Sequence, residues 1–159
     1  MQPITARPCV EEVIPDLACA CATLRRAARA VSHFYAEEFD GLLEGSQFSL
    51  LAVLNRRPGI SQITLAGILI LDKTTLSRNL GLMRRKGWIA LTVTDDKRER
   101  GFELTASGHA LLKIARPRWQ RAQERLRAAL GETEWARMFG VANSVTRTVL
   151  NSESKSQTK

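Results

Sequence analysis

Residues 61–105 read SQITLAGILILDKTTLSRNLGLMRRKGWIALTVTDDKRERGFELT, and the fold turns on this stretch. Ser61 is a suitable helix N-cap, and Ile63, Leu65, Ala66 and Leu69 carry a short apolar helix behind it. Asp72 caps the next one. Leu76, Leu80 and Met83 form its buried side, which leaves Lys73, Thr74, Thr75, Ser77, Arg78 and Asn79 on the other faces. Short polar and forked cationic side chains near a helix start suit base edges in a major groove. Gly87 ends the helix, and Trp88 to Val93 and Gly101 to Leu104 read as short strands around the charged tip DDKRER. Two short helices followed by a basic hairpin make a winged helix-turn-helix pattern, so the expected partner is double-stranded DNA.

Working outward, Pro15 and Asp16 suit a first helical turn. Leu17, Cys21, Leu24, Ala28, Val31 and Tyr35 then step by 4 and 3 as one apolar stripe to about Glu38. Gly41 and Gly45 mark a break. From Ser46, residues Phe48, Leu51, Ala52 and Leu54 predict a helix that stops before Pro58-Gly59. Thr105 caps a long helix with a seam of Gly108, Leu112, Ala115, Trp119, Ala122, Leu126 and Ala129, and Pro117 inside it should kink it or disturb one turn. After Gly131, residues Trp135, Met138, Phe139, Ala142 and Val145 supply a further amphipathic helix.

The reading is mainly α with a small β-hairpin wing, a single domain over 1–159. Within it, 46–105 form the winged-helix core, 10–40 and 106–150 a helical dimerisation region, and 151–159 a flexible tail. The flanking helices bury their stripes most simply in a twofold homodimer, which would also offer two reading helices to adjacent major-groove turns. A monomeric helical domain closed on itself is the alternative.

A formal charge of +8 points to a polyanionic partner. Its distribution narrows the choice: Asp72 to Arg100 holds eight Lys or Arg against four acids, and Lys113 to Arg127 six against one. The second cluster is either an aid to attracting DNA or a solvated helix face. No signal peptide is visible in MQPITARPCV, and the apolar run Leu65 to Leu71 is far below spanning length, so no membrane partner and a cytoplasmic location are expected. Three cysteines argue against a disulfide framework.

These residues resemble the MarR family of bacterial transcriptional regulators along essentially the whole chain. Asp96 and Arg98 match its wing Asp-x-Arg, and Leu104, Thr105 and Gly108 match the Leu-Thr-x-x-Gly that opens its long helix. LDKTTLSRNL from Leu71 is similar to its recognition helix. The resemblance implies a homodimer that binds an operator and usually represses transcription until an effector or oxidant loosens it. It implies that Thr74, Thr75, Ser77 and Arg78 face bases or phosphates, that Arg98 enters or lines the minor groove, and that Asp96 orients Arg98. Ser61, Gln62, Lys97 and Arg100 are further candidates for backbone contacts. The chain departs from the family at Ile70, a β-branched residue where a turn with positive φ would be strained, and at Gly81, which costs about 1 kcal/mol inside a helix.

Cys9, Cys19 and Cys21 are candidates for sensing chemistry. Cys19 and Cys21 lie about 200° apart around a helix, so they cannot pair with each other within regular helix. Cys21, fourteen residues before Tyr35, is similar to the reactive cysteine of MarR-type organic-hydroperoxide sensors, although Arg25 stands where those often carry a second Tyr. Oxidation there would put a polar group or adduct into a packed interface. The alternatives are an inert buried thiol, or a soft metal or arsenical held by Cys9, Cys19 and Cys21. A small aromatic or phenolic effector is another option, with Phe48, Trp88 and the Arg25, Arg26 and Arg29 cluster as candidate contacts. The bland reading makes the rings core and the arginines a solvated face.

No cofactor is required by any of these readings. An enzyme is not expected: there is no Gly-rich phosphate loop or HExxH, and His33 and His109 have no ligand spacing and read as surface or packing residues. An RNA-binding or protein-interaction winged helix is the competing class. Against it, A-form RNA hides the groove edges that the Thr, Ser and Arg side chains suit.

Overall fold

Both expected caps of the helix-turn-helix form. A computed structural model describes residues 19–93 and 100–156. Ser61 Oγ accepts from the Thr64 amide at 3.2 Å, and Asp72 Oδ1 from the Thr75 amide at 2.8 Å, each satisfying an amide that the first helical turn leaves open. In chain order the elements are α1 (Ala20–Phe39), α2 (Gly45–Arg56), β1 (Ile60–Ser61), α3 (Gln62–Leu69), α4 (Lys73–Arg85), β2 (Ile89–Val93), β3 (Arg100–Leu104) and a helical run α5 (Ala106–Ser156).

The chain divides into two compact units, Met1–Phe34 and Tyr35–Lys159. In the first, the described residues are the beginning of α1, where Leu24 and Val31 of the predicted stripe are exposed. Its predicted start at Pro15 lies outside the described residues.

In the second unit, Leu50, Leu51 and Leu54 of α2, Leu65 of α3, and Leu76, Leu80 and Met83 of α4 are buried together with Ile89, Phe102 and Leu104 of the sheet. Glu44 caps α2 in a reciprocal box with Gln47, so that the helix starts at Gly45, one residue ahead of the expected Ser46. The wing carries one strand more than the expected hairpin. β1 joins it in the order β1-β3-β2, all antiparallel, with Ile60 opposite Phe102 and Leu91 opposite Phe102 on the other side.

The backbone of α5 stays in helical space through Pro117, and the run breaks at Gly131, where one helix was expected to give way to the next; its φ of 76° and ψ of 161° lie outside helical space. A missing amide removes one hydrogen bond, whereas a left-handed glycine redirects the chain. The predicted flexible tail is helical as far as Ser156, since extending an existing helix adds a hydrogen bond for each residue fixed. Phe48 is core, as the plainer of the two readings of the rings has it: its ring lies 5.4 Å from Phe39 and stacks at 5.7 Å on Trp119.

Ile70 takes up the strained turn that its β-branch disfavours. Its φ of 51° and ψ of 48° are left-handed. Its amide donates to Gly67 O and the Leu71 amide to Ala66 O at 3.1 Å, which closes α3 as a Schellman motif. A left-handed L-residue costs about 1–2 kcal/mol, partly offset by the entropy that glycine would lose on folding. Because Ile70 is 57% exposed, replacing it removes little packing. Ile70→Gly is therefore expected to stabilise the protein by about 1 kcal/mol, a rise in Tm of about 2–4 °C. Unchanged or lower thermal stability would show that the turn carries no relievable strain.

The Lys113 to Arg127 cluster is partly absorbed by packing within the second unit. Arg125 and Arg121 both pair with Glu38, and Arg118 donates to Phe39 O at 2.6 Å and lies 3.8 Å from Asp40. Hydrogen bonds and charge from Arg125, then Arg121, hold the Glu38 carboxyl below its ordinary range. A depressed carboxylate contributes stability above its ordinary pKa and loses it as pH falls through the lowered value. Denaturation midpoints measured between pH 6 and about 3 should thus decline less steeply in Glu38→Gln than in the native chain. Asp72 and Glu132 are depressed in the same direction and will keep a residual slope. Parallel curves for the two proteins would mean that the Glu38 cluster adds nothing.

Candidate nucleic-acid interface

The apolar side of α4 packs into the core, so the helix presents Lys73, Thr74, Thr75, Ser77 and Arg78 to solvent as one exposed surface. Asp72 anchors its start, and hydrogen bonds from Thr75, side chain first, lower the Asp72 pKa. Thr75 is thus tied to the cap through side chain and backbone, and Thr74 through its backbone alone.

Ser77 is held from the neighbouring helix: Gln62, the first residue of α3, donates from Nε2 to Ser77 Oγ at 2.7 Å. Ser61 is buried, and its hydroxyl is spent on the cap and on Thr64 Oγ1 at 3.1 Å. Its structural role is therefore capping. Arg100 is exposed at the start of β3, opposite Val93. Asp96, Lys97 and Arg98 lie outside the described residues.

Behind this surface the turn into β2 is clamped to α5. Thr105 Oγ1 donates to Gly87 O at 2.6 Å and accepts from the Gly108 amide at 3.1 Å, while the Thr105 amide donates to Trp88 O at 3.1 Å. This is what the Leu-Thr-x-x-Gly signature does physically: it fastens the long helix to the root of the wing. Trp88 is partly buried, with Lys86 Nζ 4.4 Å from its ring centroid.

The sensor candidates are not brought into one cluster. Within one chain Cys19 and Cys21 are both exposed. Cys9 lies outside the described residues, and among those described no three His, Cys, Asp or Glu are grouped to hold a metal. Burial raises the Tyr35 pKa above its ordinary value. Arg25, Arg26 and Arg29 belong to the first unit, and Phe48 and Trp88 to the second. His33 and His109 are exposed, as expected for surface residues. A hollow of about 300 Å³ beside α2 and α5 is lined by Asn55, His109, Lys113, Arg116 and Gln120, a set that sequence spacing did not single out.

Comparison with known proteins places this geometry. Residues 43–99 match the model of the MarR family. A crystal structure of the M. tuberculosis transcriptional regulator MosR in complex with DNA superposes with a TM-score of 0.75 at 34% identity, covering 84% of this chain and 97% of MosR. The chain belongs to the MarR family. As a MarR-family transcriptional regulator it is not an enzyme, in line with the sequence reading. The same fold recurs at 20% identity in Streptomyces coelicolor PcaV, bound to its natural ligand, with a TM-score of 0.76 and coverage of 86% and 97%. It recurs again at 20% in the S. aureus MepR–DNA complex, with a TM-score of 0.70 and coverage of 82% and 98%. No curated protein sequence matches the chain. No helix among the described residues is long and apolar enough to cross a membrane.

Proposed function

We propose that this MarR-family protein is a cytoplasmic homodimeric repressor that binds a pseudo-palindromic operator in duplex DNA and is released by an effector. DNA binding is the reading best supported. The observation that carries it is the exposed polar surface of α4, held rigid by a capped start and a buried apolar side. The relation to MosR, itself seen on DNA, supports the same reading. In it, Thr74, Ser77 and Arg78 approach base edges or nearby phosphates, Thr75 serves the helix start, and Lys97, Arg98 and Arg100 work from the wing with Asp96 orienting Arg98.

Two classes of effector have an observation behind them. The exposed thiols of Cys19 and Cys21 favour an oxidant, an arsenical or a soft metal. The hollow containing Lys113, Arg116 and His109 favours a small anionic aromatic or phenolic compound, without the Phe48 contact, since that ring is core.

A gel shift with the DNA upstream of the chain's own coding sequence tests the operator reading. Saturable binding that survives excess random duplex is expected, and its absence at moderate salt would sink the proposal. Peroxide and arsenite should release DNA from the native chain and not from Cys21→Ser; identical release from both removes Cys21 from the mechanism.

A further inference from the structure

Serine inside a helix ordinarily turns its hydroxyl back on the backbone. Ser32 and Ser49 do this here, donating to Ala28 O at 2.7 Å and Gly45 O at 3.1 Å, four residues earlier in each case. Ser77 in α4 does not. Its hydroxyl receives the Gln62 amide at 2.7 Å from the adjoining helix, and it is exposed on the surface that carries Thr74 and Arg78.

A hydroxyl has one proton and two acceptor lone pairs. With the Gln62 Nε2–H group on one lone pair, the Ser77 proton turns away from Gln62 and only one lone pair is left beside it, so the hydroxyl is weighted toward donating to an outside partner. We infer that Gln62 is a positioning residue that biases Ser77 toward donating a hydrogen bond to DNA, so that the base pair read by Ser77 discriminates against cytosine. The inference rests on α4 being the major-groove helix. In that groove adenine and guanine offer N7, guanine also O6, and thymine O4, all acceptors; cytosine offers its N4 amine, which is a donor. A Ser77 free to rotate would accept from that amine and lose the discrimination. Gln62 itself need touch no base to have this effect.

The experiment is a binding-site selection from a randomised duplex pool, followed by affinities for duplexes carrying each of the four bases at every half-site position, using the native chain, Ser77→Ala, Gln62→Leu and Gln62→Glu. The native chain is expected to show one position where cytosine is disfavoured about tenfold against the other bases, a discrimination typical of one good base contact. Ser77→Ala and Gln62→Leu should each remove that penalty at the same position while preferences elsewhere stay. Gln62→Glu, whose carboxylate would accept the Ser77 proton, should turn the penalty into a preference for cytosine, alongside a uniform loss of affinity from the added negative charge.

A uniform loss alone, with the base preference intact in both Gln62 variants, would overturn the positioning role. A cytosine penalty lost in Ser77→Ala and retained in Gln62→Leu would do the same. If the native chain selects no sequence at all, it is the DNA-binding reading that fails, a different result from either.

Discussion

Gly108→Ala is expected to cost about 3 kcal/mol or more and to lower Tm by about 6–12 °C. A Cβ on Gly108 would sit 2.0 Å from Trp88 O, 3.0 Å from Trp88 C and 3.5 Å from Leu104 Cβ. The obstacle is backbone, and that backbone is held from several sides. Trp88 O accepts from the Thr105 amide, the Trp88 amide donates to Met83 O at 3.0 Å, and Gly87 O takes the Thr105 and Ser107 hydroxyls. Moving the carbonyl away from a methyl group would break the junction between α4, β2 and α5. Gly140 provides the control, because nothing lies within 4 Å of the Cβ position there and it sits inside α5. Gly140→Ala should be neutral or stabilising by up to about 1 kcal/mol. If thermal unfolding put the two variants within about 1 kcal/mol of each other, the close approach at Gly108 would not be real.

The same junction shows how far the sequence could be read. Ser61, Asp72 and Thr105 are side chains whose capping is local, reaching three residues along the chain, and all three were legible as helix starts. The apolar spacing Leu76, Leu80, Met83 likewise identified the buried side of α4 and therefore its exposed one. Gly108 was legible as part of a signature, yet its spacing suggested only a small member of a helical seam. Its purpose, admitting the Trp88 carbonyl, depends on a contact twenty residues away.

Contacts of that range account for the remaining surprises. Gln62 and Ser77 are fifteen residues apart and meet only because the left-handed turn at Ile70 folds α3 against α4. Glu38 neutralises part of the basic cluster from more than eighty residues away, so a run of arginines that could have been an attractive field is in good part an anchorage. β1 is two residues long, too short for alternation to reveal it.

Replacing Val141 and Val145 together by Asp is expected to convert a dimer into a monomer and to weaken operator binding by about 10²- to 10⁴-fold, the gain that joining two binding units confers. Within the second unit, the part of α5 after Gly131 leaves Phe139, Val141, Val145, Val149 and Leu150 exposed, Val141 by 53% and Val149 by 50%. Steps of 4 between 141, 145 and 149 keep three of these close to one side of the helix. A buried valine or phenylalanine is worth about 1.5–3 kcal/mol, so leaving several in water forgoes stabilisation that a second copy of the chain would supply. Two carboxylates in that seam would each need desolvation without a partner, which opposes association more strongly than truncation to Ala. The winged-helix core, whose buried residues lie elsewhere in the unit, should keep its fold, and circular dichroism will register that. Light scattering at micromolar concentration then reads the mass, and a filter-binding or gel-shift titration reads the affinity. A native chain that is monomeric throughout that range would refute the dimer. A double variant that remained dimeric would move the interface off α5, and a monomeric variant with undiminished operator affinity would show that one reader suffices.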